Sequence, residues 1–201
     1  MSAMQKEIRQ PVQQRSIETK KKIVEAGYYL FATNGFFKTN TAQIAKQAGV
    51  STGIVYGYFK DKKDILKEVI NVYIENVYEP IFNLLNDIAQ NENVEKLIND
   101  ILNLAEELHK QSCDIHRELE SVAQSDKEIN KTFVDLQDHV TIKFVEKLKE
   151  LKYKNITNEN IHLAMNLIES YVHEAVYDKH TYIDYTKLRQ TVVVLIKKLF
   201  E

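Results

Sequence analysis

The residues with the clearest chemical potential lie in one stretch, residues 39–62, TNTAQIAKQAGVSTGIVYGYFKDK. Small or hydrogen-bonding residues cluster there at helical spacing: Thr41, Ser51, Thr52, Gly53, Tyr56, Gly57, Tyr58, Lys60 and Lys62. Hydroxyls, ammonium groups and free helix-start N–H groups are donors suited to phosphate oxygens. Glycines and a short threonine let a helix backbone come close to base edges. A short helix, a glycine-containing turn and a second short helix make a helix-turn-helix, whose second helix enters the DNA major groove.

A second group of potential ligands is His109, Cys113 and His116, with Glu120 beyond. Spacings of four, three and four would line one face of a continuous helix. Such a face could hold a soft metal or sense redox state. The alternative function is therefore a helical ligand- or redox-sensing protein that does not bind DNA. Ser112 has the character of a helix cap, so three unrelated residues at a helix junction are the competing reading. No metal site or cofactor is expected. His139, His162, His173 and His180 lack ligand-like spacing within one helix.

Catalytic patterns are missing from the sequence: there is no glycine-rich phosphate loop, no G-x-S-x-G elbow and no H-E-x-x-H. The chain is not expected to be an enzyme.

The elements that must carry these residues read as helices throughout. The first runs from about Ile17 to Asn34, with Ile23, Ala26, Tyr29, Leu30 and Phe31 inward and Gly35 as its stop. The second starts at Asn40, where Asn40 and Gln43 suit a capping box, and ends at Gly49. Ser51 caps the third, with Val55 and Phe59 facing the core. Gly53 and Gly57 make that helix weak in isolation, so its neighbours must hold it. Asp61 caps a long fourth helix that Pro80 should kink or break. Five more are expected over about 94–111, 114–124, 127–152, 158–178 and 185–200. Thr157 or Asn158 caps the penultimate one and Asp184 the last, whose apolar stripe is Leu188, Val192, Leu195, Ile196 and Leu199.

The fold class is thus all-α, with about nine helices. The expected organisation is a flexible arm over 1–16, a helix-turn-helix domain over 17–62 and a larger helical domain over 63–201. Within the arm, Arg9 and Arg15 could reach DNA. Composition divides in the same sense. Residues 1–67 carry 12 Lys and Arg against 5 Asp and Glu, a net of +7, and the remainder 15 against 24, a net of −9. The basic part suits a polyanion. All five glycines fall within the first 57 residues. One cysteine cannot form an intrachain disulfide, and neither a signal peptide nor a spanning segment is evident, so a cytoplasmic location is expected.

The segment GVSTGIVYGYFKDKKDIL resembles the DNA-binding signature of the tetracycline-repressor (TetR) family of bacterial transcription regulators. That signature is close to G-V-S-x-G-x-[LIV]-Y-x-[YH]-F-x-x-K-x-x-L. It is met here by Gly49, Val50, Ser51, Gly53, Val55, Tyr56, Tyr58, Phe59 and Lys62, with Ile65 at the leucine-like position. The upstream match runs from Ile23 through Gly35 and Phe36 to the QIAKQAGV segment, so it covers residues 17–66. The resemblance implies a homodimer joined through its last two helices, bound to a near-palindromic duplex operator. It implies a three-helix DNA-binding domain, and a fourth helix linking it to a domain that binds a small effector. It also implies that Tyr56 touches phosphates or bases and that Lys62 binds a phosphate. The chain departs from the pattern at Ala42, where many relatives carry a guanine-reading arginine, and at Gly57, where a larger residue is common. Thr41, Thr52 and Tyr56 then carry more of the base reading. The expected function is a repressor released by a small hydrophobic or amphipathic effector, with Tyr73, Phe133 and Tyr171 as candidate effector contacts.

Overall fold

The computed structural model describes residues 14–88 and 93–200. Among these the chain is all helical: α1 (Gln14–Asn34), α2 (Thr41–Gln47), α3 (Thr52–Tyr58), α4 (Lys62–Asp87), α5 (Val94–Gln111), α6 (Cys113–Ser125), α7 (Lys127–Glu150), α8 (Asn158–Val176) and α9 (Tyr185–Leu199). Packing divides it into two compact units. One comprises the chain up to Tyr73 with Asp114–Phe133; the other comprises Ile74–Cys113 with Val134–Glu201. Most of the expected arm, Arg9 included, lies outside the described residues, but Gln14 to Ser16 form the first turn of α1.

In the first unit, α1 buries Ile23, Val24, Ala26, Leu30 and Phe31 at helical spacing. Tyr29, expected inward, is 54% exposed instead, because it stands one residue outside that stripe. Gly27 lets α4 come close: a Cβ there would sit 2.7 Å from Ile65 Cγ2. The α1–α2 turn needs glycine at residue 35, where φ is +85°. Asn40 and Gln43 form the expected reciprocal capping box, each side chain bonded to the other's backbone N–H. Gly49 (φ +68°) then reverses the chain, and the Val50 N–H returns to Ala45 O at 3.0 Å. Ser51 Oγ accepts the Ile54 N–H at 3.3 Å and starts α3. Val55 and Phe59 are buried as the spacing required. Asp61 accepts the Asp64 N–H at the start of α4. Pro80 does not break that helix, which is assigned through it to Asp87.

The second unit is built on α5, α8 and α9. Leu102, Ala164, Val172, Val192 and Ile196 share its core. Thr157 and Asp184 are the N-caps of α8 and α9, each accepting backbone N–H groups of the following turn. Arg189 ties α9 to α5, donating to Glu106 Oε1 at 2.7 Å, to Asn103 Oδ1 at 2.7 Å and to Asn99 O at 2.9 Å. Leu195, expected inward, is 44% exposed beside Val194 at 51%, since Val192, Val193 and Ile196 take the core positions.

Candidate functional site

The helix-turn-helix is held from behind by polar contacts. Lys62, the first residue of α4, donates from Nζ to Phe36 O at 2.6 Å and Thr39 O at 2.8 Å. Its ammonium also lies 4.2 Å from the Phe36 ring centroid. Burial pushes the Lys62 pKa below its ordinary value. An ammonium has three N–H donors, so one remains after these two bonds. The sequence expectation of a phosphate anchor is thus joined by a second role, that of fastening the α1–α2 turn to α4. Thr39 completes the fastening by donating from Oγ1 to Gly35 O at 2.8 Å.

The same turn is gripped from α6. Glu118 Oε1 accepts the Phe36 N–H at 2.5 Å. Further along, the α6–α7 junction meets α4 through charge. Lys63 Nζ lies 2.6 Å from Asp126 Oδ2, and Lys67 Nζ 2.6 Å from Glu128 Oε1. Hydrogen bonding from Lys63 holds the Asp126 carboxyl below the usual range, and that from Lys67 does the same for Glu128. The two lysines are raised in return.

The tyrosines of α3 separate. Tyr56 is 49% exposed. Tyr58 is half-buried, and its hydroxyl is 2.8 Å from Ser16 Oγ on α1. Tyr56 is therefore half open to solvent, whereas Tyr58 ties α3 to α1. Ser51, Gly53 and Lys60 are exposed, and Thr41, Thr52 and Gly57 are partly so. The sequence reading missed Ile54, which is 43% exposed on the same helix. The apolar run Ile54-Val55 concealed it; the signal was that Val55, one residue on, already occupies the inward position.

The second unit contains a cleft enclosing about 860 Å³ of empty space, open solvent at its mouth included. Its wall is almost wholly apolar, with Ile81, Leu85, Ile98, Phe144, Ile168 and Ile196 among the lining residues. Tyr78, Tyr153, His109 and Glu169 supply the polar groups. His109 Nε2 is 3.1 Å from Glu169 Oε1, and its Nδ1 is 2.9 Å from Ala105 O. Burial, with the nearby Glu169 charge, pushes the Tyr78 phenol well above its ordinary pKa, so it is a neutral donor. None of the three aromatics chosen from sequence lines this cleft. Tyr73 is buried in the first unit with its hydroxyl 2.5 Å from His116 Nδ1. Phe133 is also in the first unit. Tyr171 belongs to the α5–α8–α9 core and donates to Glu106 Oε1 at 3.0 Å. The reason is rotational: a mid-helix position does not say which way the side chain turns.

The single helix expected to carry His109, Cys113 and His116 is two helices. Ser112 closes α5 and Cys113 begins α6, so the spacing is interrupted.

Residues 23–69 match the family model described as "Bacterial regulatory proteins, tetR family". The fatty acid metabolism regulator protein of Bacillus subtilis (strain 168) is 43% identical over 63 residues, which cover 29% of this chain and 32% of that protein. The transcriptional regulator AcrR of Shigella flexneri is 36% identical over 66 residues, covering 33% and 31%. The chain thus spans about a third of the length of these relatives. Solved structures extend the likeness in fold. The fatty acid degradation regulator FadR of Bacillus halodurans superposes with a TM-score of 0.57 at 22% identity, over 89% of this chain and 94% of that one. A transcriptional regulator of Aquifex aeolicus VF5 does so with a TM-score of 0.60 at 18% identity, over 90% and 99%. Residues 23–69, which hold the helix-turn-helix, thus match the tetR family of bacterial regulatory proteins, and along most of its length the chain has the fold of solved transcriptional regulators.

Proposed function

We propose that this protein is a transcriptional repressor that binds a near-palindromic DNA operator as a homodimer and is released by a small apolar or amphipathic effector. The observation that carries the DNA reading is the outer face of α3. Ile54 and Tyr56 flank two glycines there, in a segment of net charge +7. Positive charge supplies sequence-independent attraction to phosphate, and the recognition helix supplies discrimination. Thr41, Ser51, Thr52, Gly53, Tyr56, Gly57 and Lys60 are the contact residues in this reading. Tyr58 and Lys62 hold the frame, and Lys62 keeps one donor for a phosphate.

Dimerisation through α8 and α9 is supported by Leu163 (47% exposed) on α8 and by Val194 and Leu195 on α9. Paired twofold, two recognition helices about 34–36 Å apart enter successive major grooves. The effector site is the apolar cleft of the second unit. Its apolar lining with a few polar groups suits a largely apolar ligand. Two relatives are named for fatty acid metabolism or degradation, and an acyl chain is the kind of apolar body this wall accepts. α4 contributes residues to both units and is the proposed link between effector and DNA. No helix among the described residues is long and apolar enough to cross a membrane. The protein acts by binding, in the cytoplasm, without catalysing a reaction.

The test is selection of duplexes from a random pool by the full chain, followed by anisotropy over a salt series. Retained duplexes should bind with an affinity that falls linearly on a log–log plot against salt. Long-chain fatty acid or its acyl thioester should then release them. A chain that retains no duplex at low salt is not a DNA-binding repressor.

A further inference from the structure

We infer that Ile54 is a specificity-determining residue that packs on the C5-methyl group of a thymine, so that each operator half-site carries a thymine at one fixed place. This rests on the DNA-binding reading above. An α-helix turns about 100° per residue. Val55 is fully buried and fixes the inward direction of α3. Gly53 and Gly57 then lie opposite it, with Ile54 and Tyr56 roughly 80° from Val55's opposite pole on either side. The outer face is a floor of bare backbone between an aliphatic rim and a phenolic rim.

The glycines are not required by the chain itself. A Cβ at Gly57 would meet nothing within 4 Å, and one at Gly53 would meet only Ser51 Oγ at 3.9 Å. The glycines with positive φ are Gly35 and Gly49, not these two. Glycine inside a helix is unfavourable, so the benefit of two on one face lies in what that face approaches.

Ile54 stands on the rim of this face, 43% exposed. Its side chain neither donates nor accepts a hydrogen bond. It therefore reads no phosphate, and it reads neither the acceptors of guanine nor the donor and acceptor of adenine. The apolar feature that base pairs present in the major groove is the thymine methyl. Tyr56, on the opposite rim, keeps its hydroxyl for polar partners. A branched aliphatic group carried to within van der Waals reach by a glycine floor fits that methyl, and it discriminates against cytosine, which lacks it.

The experiment uses the full chain and a duplex selected from a random pool, with thymines replaced one at a time by deoxyuridine. The wild type should lose affinity about fourfold at one thymine in each half-site and little elsewhere, the loss expected for one buried methyl. Ile54→Ala should bind the thymine duplex about as weakly as the wild type binds the deoxyuridine one, and should ignore the replacement at that place. Its melting curve should match the wild type's, because the side chain lies outside the core. A wild type indifferent to every replacement overturns the proposal, as does an Ile54→Ala protein that keeps the full thymine preference. Either result leaves DNA binding itself intact. Failure to select any duplex overturns the DNA-binding reading and the proposal with it.

Discussion

Glu118 Oε1 accepts the backbone N–H of Phe36 at 2.5 Å, so α6 completes the turn that separates α1 from α2. The two residues stand 82 positions apart in sequence. A Cβ at residue 35 would lie in ordinary contact, 3.4 Å, with both of its oxygens, so glycine is needed there for its φ of +85° and not for space. The helix-turn-helix is thus finished by a residue from well beyond it. Glu118→Ala should destabilise the protein by about 1–3 kcal/mol, the range for leaving a buried donor without a partner. Glu118→Gln keeps an acceptor oxygen and should recover most of that. Thermal melts of the two variants check this; equal melting points for wild type and Glu118→Ala would contradict it.

Lys62 bonds to two carbonyls, so its removal should affect folding first. Lys62→Ala should lower stability by about 2 kcal/mol, a typical figure for hydrogen bonds to a charged group. Operator affinity should fall as a consequence. Denaturant titration and a salt series on the same variant separate the roles. Full stability with a salt slope reduced by one would make Lys62 a phosphate anchor only.

Gly57→Ala tests the outer face of α3 from the opposite direction. Space around Gly57 is open and its φ is ordinary, so alanine should stabilise the helix by up to about 1 kcal/mol. The added methyl should weaken operator binding by standing between backbone and base edges. A melt and an anisotropy titration check both halves; unchanged affinity would mean that this face does not approach DNA closely.

Acid should loosen the contact between α4 and the α6–α7 junction. Asp126 and Glu128 titrate below their ordinary values because Lys63 and Lys67 bond to them. Groups depressed in the folded state stabilise it above the unfolded pKa, about 4 here. That stabilisation is lost as pH falls through the lower folded values. The two lysines are raised, so their contribution persists below about 10.4 and is lost as pH climbs through their folded values. Asp126→Asn with Glu128→Gln should flatten the acid limb of a stability-against-pH curve. Superimposable acid limbs in mutant and wild type would contradict this.

Much of the fold was legible because helix ends carry their own chemistry. Asn40 with Gln43, Ser51, Thr157 and Asp184 were each readable as caps, and each is one. Glycine 35 and glycine 49 marked stops because they adopt positive φ. The helix-turn-helix was readable for the same reason, since its landmarks are local. What stayed hidden depends on rotation and on distant partners. Tyr29 and Leu195 lie beside the buried stripes rather than in them. Glu118 and Lys62 could not be seen as supports of the α1–α2 turn, because nothing in sequence links residue 36 to residues 62 and 118. The cleft failed to reveal itself for a similar reason: aliphatic residues such as Ile98 and Ile168 look identical in a core and on a cavity wall.

The central claim, that α3 of each subunit enters a major groove, is tested most directly by methylation interference on a selected operator. Dimethyl sulfate marks guanine N7 in the major groove and adenine N3 in the minor groove. Methylated guanines should block binding in two clusters centred about 10–10.5 base pairs apart, while methylated adenines inside those clusters are tolerated. Interference confined to adenine N3, or a single cluster of guanines, would contradict the account.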